Sequence, residues 1–163
     1  MKIIKVEKEN IANGPGIRTV IWVGGCEHHC SQCHNPETWS FDVGEDLTED
    51  TINEIIEATK PDYISGITFT GGDPFALANR VDTLELVERL RKVFPNKSIW
   101  MWTGYSFEEI YVIPGMECFD VIVDGKFEVD KMNLTLPWRG SSNQRVIDVK
   151  RSLLEKKVIN YME

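Results

Sequence analysis

The chain has 163 residues, 42% apolar, 10% aromatic and 27% charged, the proportions of one ordinary globular domain. Eighteen Lys and Arg stand against 26 Asp and Glu, and the net charge of −8 argues against a broad nucleic-acid surface, which needs clustered positive charge. No apolar run reaches membrane-spanning length and Met1 to Glu7 lack the apolar core of a secretory signal, so we expect one domain over 1–163, cytoplasmic, with neither membrane nor nucleic acid as partner. In chain order, Asn13-Gly14-Pro15-Gly16 reads as a loop, because glycine supplies positive φ and proline presets its own φ. The apolar run Val20-Ile21-Trp22-Val23 predicts a strand, and Gly24-Gly25 lets the chain turn tightly off it into Cys26-Glu27-His28-His29-Cys30-Ser31-Gln32-Cys33.

Three thiols within eight residues can converge on one metal centre. If that centre is a cubane iron-sulfur cluster, which needs four ligands, three cysteines leave one position open for chemistry. Zinc competes with this reading, since His28, His29 or His34 could complete a closed Cys3His tetrahedron. Disulfides fit less well, because three clustered cysteines cannot all pair with one another and nothing else in the chain looks secreted. A set of small buried apolar cysteines is hard to reconcile with two adjacent histidines and the Gly-Gly turn. Cys118, in Glu117-Cys118-Phe119 beside a strand, is most simply a buried small residue.

After the irregular loop His34 to Trp39, Thr48 predicts a helix N-cap, with Glu49 and Asp50 at the positive end of the dipole, an apolar stripe at Ile52, Ile55 and Ile56, and Pro61 as the stop. Strands are expected at Ile64 to Thr70, Ser98 to Thr103, Phe119 to Val123 and Arg145 to Val149. A second helix is expected from about Asn79 to Phe94, a capping box at Ser106-Phe107-Glu108-Glu109, and a last helix from Ser152. Lys150, Arg151, Lys156 and Lys157 read as a solvated helix face. Alternating strands and helices predict βαβ units and a mostly parallel sheet, whose ligands gather beyond the carboxyl ends of the strands. The cysteine loop, Thr70-Gly71-Gly72-Asp73 and Trp102-Thr103-Gly104-Tyr105 all follow predicted strands and are expected to meet there. A complete eight-fold barrel takes about 250 residues, so this chain closes only part of one.

The cysteine spacing resembles the cluster motif of the radical S-adenosylmethionine (SAM) enzymes, in which the amino and carboxylate groups of SAM ligate the fourth iron. Gly71-Gly72-Asp73-Pro74 resembles the motif that holds the SAM amino group, commonly Gly-Gly-Glu-Pro; here the acid is one methylene shorter, and the backbone of Gly71 and Gly72 serves in either case. Where many members carry an aromatic residue before the third cysteine, this chain has Gln32, so adenine contact falls to the backbone of Gln32, Cys33 and His34. A Cβ at Gly72 is expected to obstruct SAM while sparing the cluster. Asn13-Gly14-Pro15-Gly16 with Arg18, Trp102-Thr103-Gly104-Tyr105, Val123-Asp124-Gly125-Lys126-Phe127 and Trp138-Arg139-Gly140-Ser141-Ser142-Asn143-Gln144-Arg145 resemble the activating proteins of anaerobic ribonucleoside-triphosphate reductases, over about residues 10 to 150.

That resemblance implies an α/β fold, a single-domain open partial (β/α) barrel of radical SAM type. It implies a [4Fe-4S] cluster on Cys26, Cys30 and Cys33, with SAM held near Gln32, Cys33, His34, Gly71, Gly72 and Asp73. SAM is cleaved reductively to methionine and a 5′-deoxyadenosyl radical, which generates a glycyl radical on the partner, the anaerobic ribonucleoside-triphosphate reductase. The electron comes from a donor such as flavodoxin. Two alternatives stand beside it: a radical SAM enzyme acting on a small molecule such as a deazapurine precursor, and a Cys3His zinc-binding interaction module. Asn13 and Arg18 are candidate rim residues, whereas Trp100, Trp102 and Trp138 read as packing residues.

Overall fold

The computed structural model describes residues 1–162. Seven strands form one sheet: β1 (Lys2–Asn10), β2 (Ile17–Val23), β3 (Glu45–Asp46), β4 (Ile64–Gly71), β5 (Ser98–Trp102), β6 (Val121–Asp124) and β7 (Arg145–Asp148), in the spatial order β3-β1-β2-β4-β5-β6-β7. The central strands β2, β4, β5 and β6 pair in parallel. Antiparallel partners flank them, with β1 on β2, β3 on β1, and β7 on β6. Thus the parallel core expected from the βαβ pattern is present, and the hairpin of β1 with β2 is an addition that the reading of the N-terminus did not assign.

Four α-helices accompany the sheet: α1 (Glu49–Thr59), α2 (Leu77–Val93), α3 (Phe107–Ile110) and α4 (Val149–Glu155). The Thr48 hydroxyl accepts a hydrogen bond from the Thr51 N–H at 3.3 Å, as an N-cap should, and α1 buries Ile52 and Ile55. Ser106 and Glu109 make both halves of the capping box, although α3 is a single turn. The last helix starts earlier than Ser152, because the Asp148 carboxylate caps it by accepting from the Arg151 N–H at 3.0 Å; Ser152 is instead buried, its hydroxyl accepting from the Ile159 N–H. Helix α2 likewise starts two residues before Asn79.

Side chains alternate across the central strands as the pleat requires. Ile21, Val23, Ile67, Phe69, Ile99, Met101, Ile122 and Ile147 join the core with Ile55, Leu86, Val87 and Leu90 of the helices. The opposite face carries Trp100, Val121, Val123 and Val146, against which Trp102 and Trp138 pack. Both faces are therefore largely apolar, which explains why β4 to β6 read as nearly continuous hydrophobic runs.

The N-terminal end of this second face is filled by Arg18, which is fully buried. Its guanidinium donates to Thr68 Oγ1 (2.8 Å), Ser98 Oγ (2.8 Å), and the carbonyls of Pro15 (3.2 Å), Ile67 (2.9 Å) and Ser98 (2.8 Å). Burial lowers its pKa to about 10. Arg18 thus ties the starts of β2, β4 and β5 together rather than lining the rim that its position in sequence suggested. No helix among the described residues is long and apolar enough to cross a membrane.

Candidate functional site

A cavity of about 400 Å³ opens at the carboxyl ends of the parallel strands. Cys26, His28, Cys30, Cys33 and His34 line it from the loop after β2. Gly71, Gly72 and Asp73 enter after β4, Thr103 and Gly104 after β5, and Gly125, Lys126 and Phe127 after β6. The strand-end segments expected to converge do so, and Asn13 joins them. Gln32 does not; it is exposed, in the left-handed region at φ 55°, outside the lining.

The three loop thiols are unpaired and partly buried. Burial pushes the Cys26 thiol up to about 11 and raises that of Cys30, so metal binding at either must displace a proton. The nearby backbone of His28 and His29 offsets part of that burial effect at Cys26. The Asn35 N–H donates to Cys33 Sγ at 3.4 Å. Three thiols facing one cavity, one of them receiving an N–H donor, are a donor set that suits an iron-sulfur cluster with one position left to another ligand. Cys118 is also a free thiol, but it packs against the main core under α2, away from the cavity.

The loop is held tightly to its neighbours. The Gly72 N–H donates to the Val23 carbonyl at 2.8 Å and the Asp73 N–H to the Gly25 carbonyl at 2.7 Å, which joins the exits of β2 and β4. Gly71 has φ +107°, and a Cβ on Gly72 would lie 2.4 Å from the Gly25 oxygen. The first obstacle to a side chain at Gly72 is thus the backbone that leads into Cys26, not a ligand. Asn79, buried near the start of α2, donates its amide to the carbonyls of Gly24 and Asp73, both at 3.0 Å.

Asp73 is 1% exposed, and its carboxylate is enclosed by protein donors. Oδ1 accepts from the Phe75 N–H (2.8 Å) and the Thr103 hydroxyl (2.9 Å), while Oδ2 accepts from the Gly104 N–H (2.9 Å) and from His28 Nε2 (2.6 Å). Neighbouring Tyr105 donates its hydroxyl to Glu27, and burial and that carboxylate raise its pKa.

The remaining histidines pack on aromatic rings, His29 stacked on Trp39 at 4.5 Å and His34 tilted against Phe127 at 5.0 Å. Among the described residues no three His, Cys, Asp or Glu are arranged to hold a single metal ion, which is what a Cys3His zinc site asks of them. Sequence reasoning brought Thr103 and Tyr105 to the site as part of the segment Trp102 to Tyr105, but it treated His28 only as a possible zinc ligand and read Asn79 only as the start of a helix. The one signal for His28 was its position within the cysteine loop, and Asn79, inside α2, left none.

Arg145 clamps the far edge: it pairs with Asp124 at 2.6 Å and with Glu108 at 2.7 Å, and these carboxylates raise its pKa. Arg139 lines the cavity, with Nη1 donating to the Gln144 carbonyl at 3.0 Å and a buried Nε that has no hydrogen-bond partner.

Comparison with known proteins adds an independent line. A family model described as a 4Fe-4S single cluster domain matches residues 12–147. The anaerobic ribonucleoside-triphosphate reductase-activating protein of Enterobacteria phage T4 is 43% identical over 137 residues, covering 84% of this chain and 87% of that protein. The chain belongs to this family of activating proteins. Its relatives under the same name in Escherichia coli K12 (41% over 141 residues; 84% and 92% covered) and Pasteurella multocida (37% over 153 residues; 88% and 95% covered) agree. Membership in a 4Fe-4S family sets aside the zinc module.

Proposed function

We propose that this chain, like its relatives by name, activates an anaerobic ribonucleoside-triphosphate reductase, and that it does so as a radical SAM enzyme. The observation that carries the reading is the meeting of Cys26, Cys30 and Cys33 with the Gly71-Gly72-Asp73 turn around one cavity. Cys26, Cys30 and Cys33 hold the cluster. When bound, the cluster would supply the one electron needed to cleave SAM reductively, chemistry that would lead to a glycyl radical on the reductase.

The protein's part is to bind, orient and shield. The N–H groups of Gly72 and Asp73 are engaged with the exit of β2, so the turn meets the SAM ammonium with carbonyl oxygens. Arg139, with an unpartnered N–H, and Lys126 bring positive charge that suits a carboxylate. The backbone of Cys33 and His34 is the adenine contact; Gln32 contributes only as their neighbour. We read the sheet as an open partial barrel in one domain. Leu134, 77% exposed, lines the cavity, and Ile11, 76% exposed, adjoins the lining residue Ala12 in sequence. Exposed apolar side chains there favour a protein segment as the covering wall over a small molecule. A cytoplasmic one-electron donor such as flavodoxin completes the scheme.

The test is anaerobic mixing of the reconstituted protein with SAM, a strong reductant and the partner reductase. We expect the doublet electron paramagnetic resonance signal of a glycyl radical, lost when the target glycine is replaced by alanine. A SAM-cleaving preparation that never yields it, but turns over a deazapurine precursor, overturns the reading.

A further inference from the structure

The acid of the Gly-Gly-Asp-Pro turn sits where a cofactor's ammonium would be received, yet its oxygens are already occupied. An ionised carboxylate offers about four lone-pair sites. Phe75 N–H, Thr103 Oγ1, Gly104 N–H and His28 Nε2 supply four donors at 2.6 to 2.9 Å, and the group is buried. No vacancy remains on this carboxylate for a ligand.

Its shortest partner comes from the cysteine loop. The His28 side chain, 6% exposed, fits a slot that exists only because residue 104 is glycine, since a Cβ there would stand 2.4 Å from the imidazole Cδ2. The Tyr105 ring closes the slot edge-on at 4.7 Å, and its hydroxyl bonds the preceding Glu27. This segment runs from Cys26 to Cys30, both of which line the cavity, so whatever fixes His28 also fixes where two of the three thiols stand. Hydrogen bonds to cluster sulfurs raise the reduction potential by stabilising the added negative charge, and groups behind the ligands set those bonds.

We propose that Asp73 and His28 are positioning residues. Asp73 grips the imidazole of His28, fixes the chain between Cys26 and Cys30 against the exits of β4 and β5, and thereby sets where those two thiolates meet the cluster. In this chain the motif acid serves the cluster loop, and recognition of a cofactor's ammonium falls to the backbone of the turn. The inference rests on the cluster assignment above and not on the identity of the substrate.

The experiment compares His28→Gln, His28→Phe, Asp73→Asn, the double variant His28→Phe/Asp73→Asn and Thr103→Val, each reconstituted anaerobically. Iron and sulfide per chain, the midpoint potential without SAM, and SAM affinity are measured. Glutamine extends an amide N–H to about the reach of Nε2, so His28→Gln should keep iron and potential near wild type. His28→Phe and Asp73→Asn should each lose iron and shift the potential of the cluster that remains, because two of its ligands are no longer held in place. The double variant should be no worse than the poorer single one, because both remove one interaction.

Thr103→Val deletes a neutral donor to the same carboxylate while leaving His28 in place, so its potential should stay put. A general loosening of the fold would move it with the others. If Asp73→Asn keeps iron and potential but weakens SAM binding tenfold or more, and His28→Phe does not, Asp73 is a ligand contact and the inference is wrong. Should His28→Phe fail to fold, the contrast of Asp73→Asn with His28→Gln and Thr103→Val still decides it. A wild type that binds no cluster defeats the proposed function instead, whereas a wild type that makes the glycyl radical beside unaffected His28 and Asp73 variants defeats only this inference.

Discussion

Gly72→Ala separates two roles for the glycine turn. The added Cβ would stand 2.4 Å from the Gly25 oxygen and 2.8 Å from its carbonyl carbon, and reaching the 3.4 Å of ordinary contact requires a backbone shift of about 1 Å. Asp73 N–H to Gly25 O, now 2.7 Å, cannot survive that retreat, and Gly72 N–H to Val23 O at 2.8 Å is strained with it. Two buried backbone groups left poorly paired cost about 3 kcal/mol together. Because Gly25 adjoins Cys26, that cost falls on the geometry of the cluster loop. It corresponds to about a hundredfold weaker hold on the cluster. The assay is iron retained against a chelator, followed anaerobically with far-ultraviolet circular dichroism to confirm the fold. A variant that holds iron as firmly as wild type, and loses only the spectral response to SAM, would refute the reasoning and return Gly72 to the role of a ligand contact.

Cys26→Ala, Cys30→Ala and Cys33→Ala should each abolish stable iron binding, whereas Cys118→Ala, away from the cavity, should keep the full complement; iron and sulfide analysis of the four decides. In the metal-free protein Cys26 should react with iodoacetamide at pH 8 about a hundredfold more slowly than an unperturbed thiol, because its thiolate forms only near pH 11. Its rate should climb through pH 10, as mass spectrometry of quenched samples would show, and a rate at pH 8 equal to that of a free cysteine peptide would contradict the burial argument. Arg18→Leu strands the acceptors on Thr68, Ser98, Ile67 and Pro15 and should cost about 3 kcal/mol. With a urea dependence of about 2 kcal/mol per molar, the metal-free unfolding midpoint should fall by about 1.5 M, and a fall under about 0.5 M would show that the buried cation contributes little.

What was legible in the sequence followed the kind of signal each feature left. Strands β2 and β4 to β6, the N-cap at Thr48 and the capping box at Ser106 rest on local chemistry, and all are present. The convergence at the strand ends followed from topology. Strand β1 escaped because Lys2 to Asn10 alternates weakly and its pairing partner, not its own pattern, holds it extended. The start of α4 was misplaced because an Asp148 cap and a Ser152 cap look alike in sequence, and only burial of Ser152 distinguishes them. Arg18 was set at the rim by its closeness to Asn13, but the pleat points neighbouring side chains to opposite faces and carried the guanidinium under the sheet's second face. The link between His28 and Asp73 spans 45 residues, and nothing local announces a contact of that range.

The loop's attachment also bears on how the cluster is held. Fixing eight residues of backbone costs about 10 kcal/mol at ordinary estimates of chain entropy. In a zinc finger that cost is met by the metal, and the domain unfolds without it. Here protein contacts share that cost: the loop is anchored at Gly25 and Cys26 by the carbonyls of Thr38 and Trp39, at His28 by Asp73, and at His34 by the Phe127 ring. Two of those anchors, Asp73 and Phe127, follow β4 and β6, strands that pack around a core with no cysteine in its centre. Folding therefore bears much of the ordering cost, and the cluster's binding energy is left to displace the protons from thiols that burial keeps protonated. Cutting an anchor should accordingly appear first as a weaker or electronically altered cluster in a chain that remains folded, which is why iron content and potential, rather than thermal stability, are the measurements that read this site.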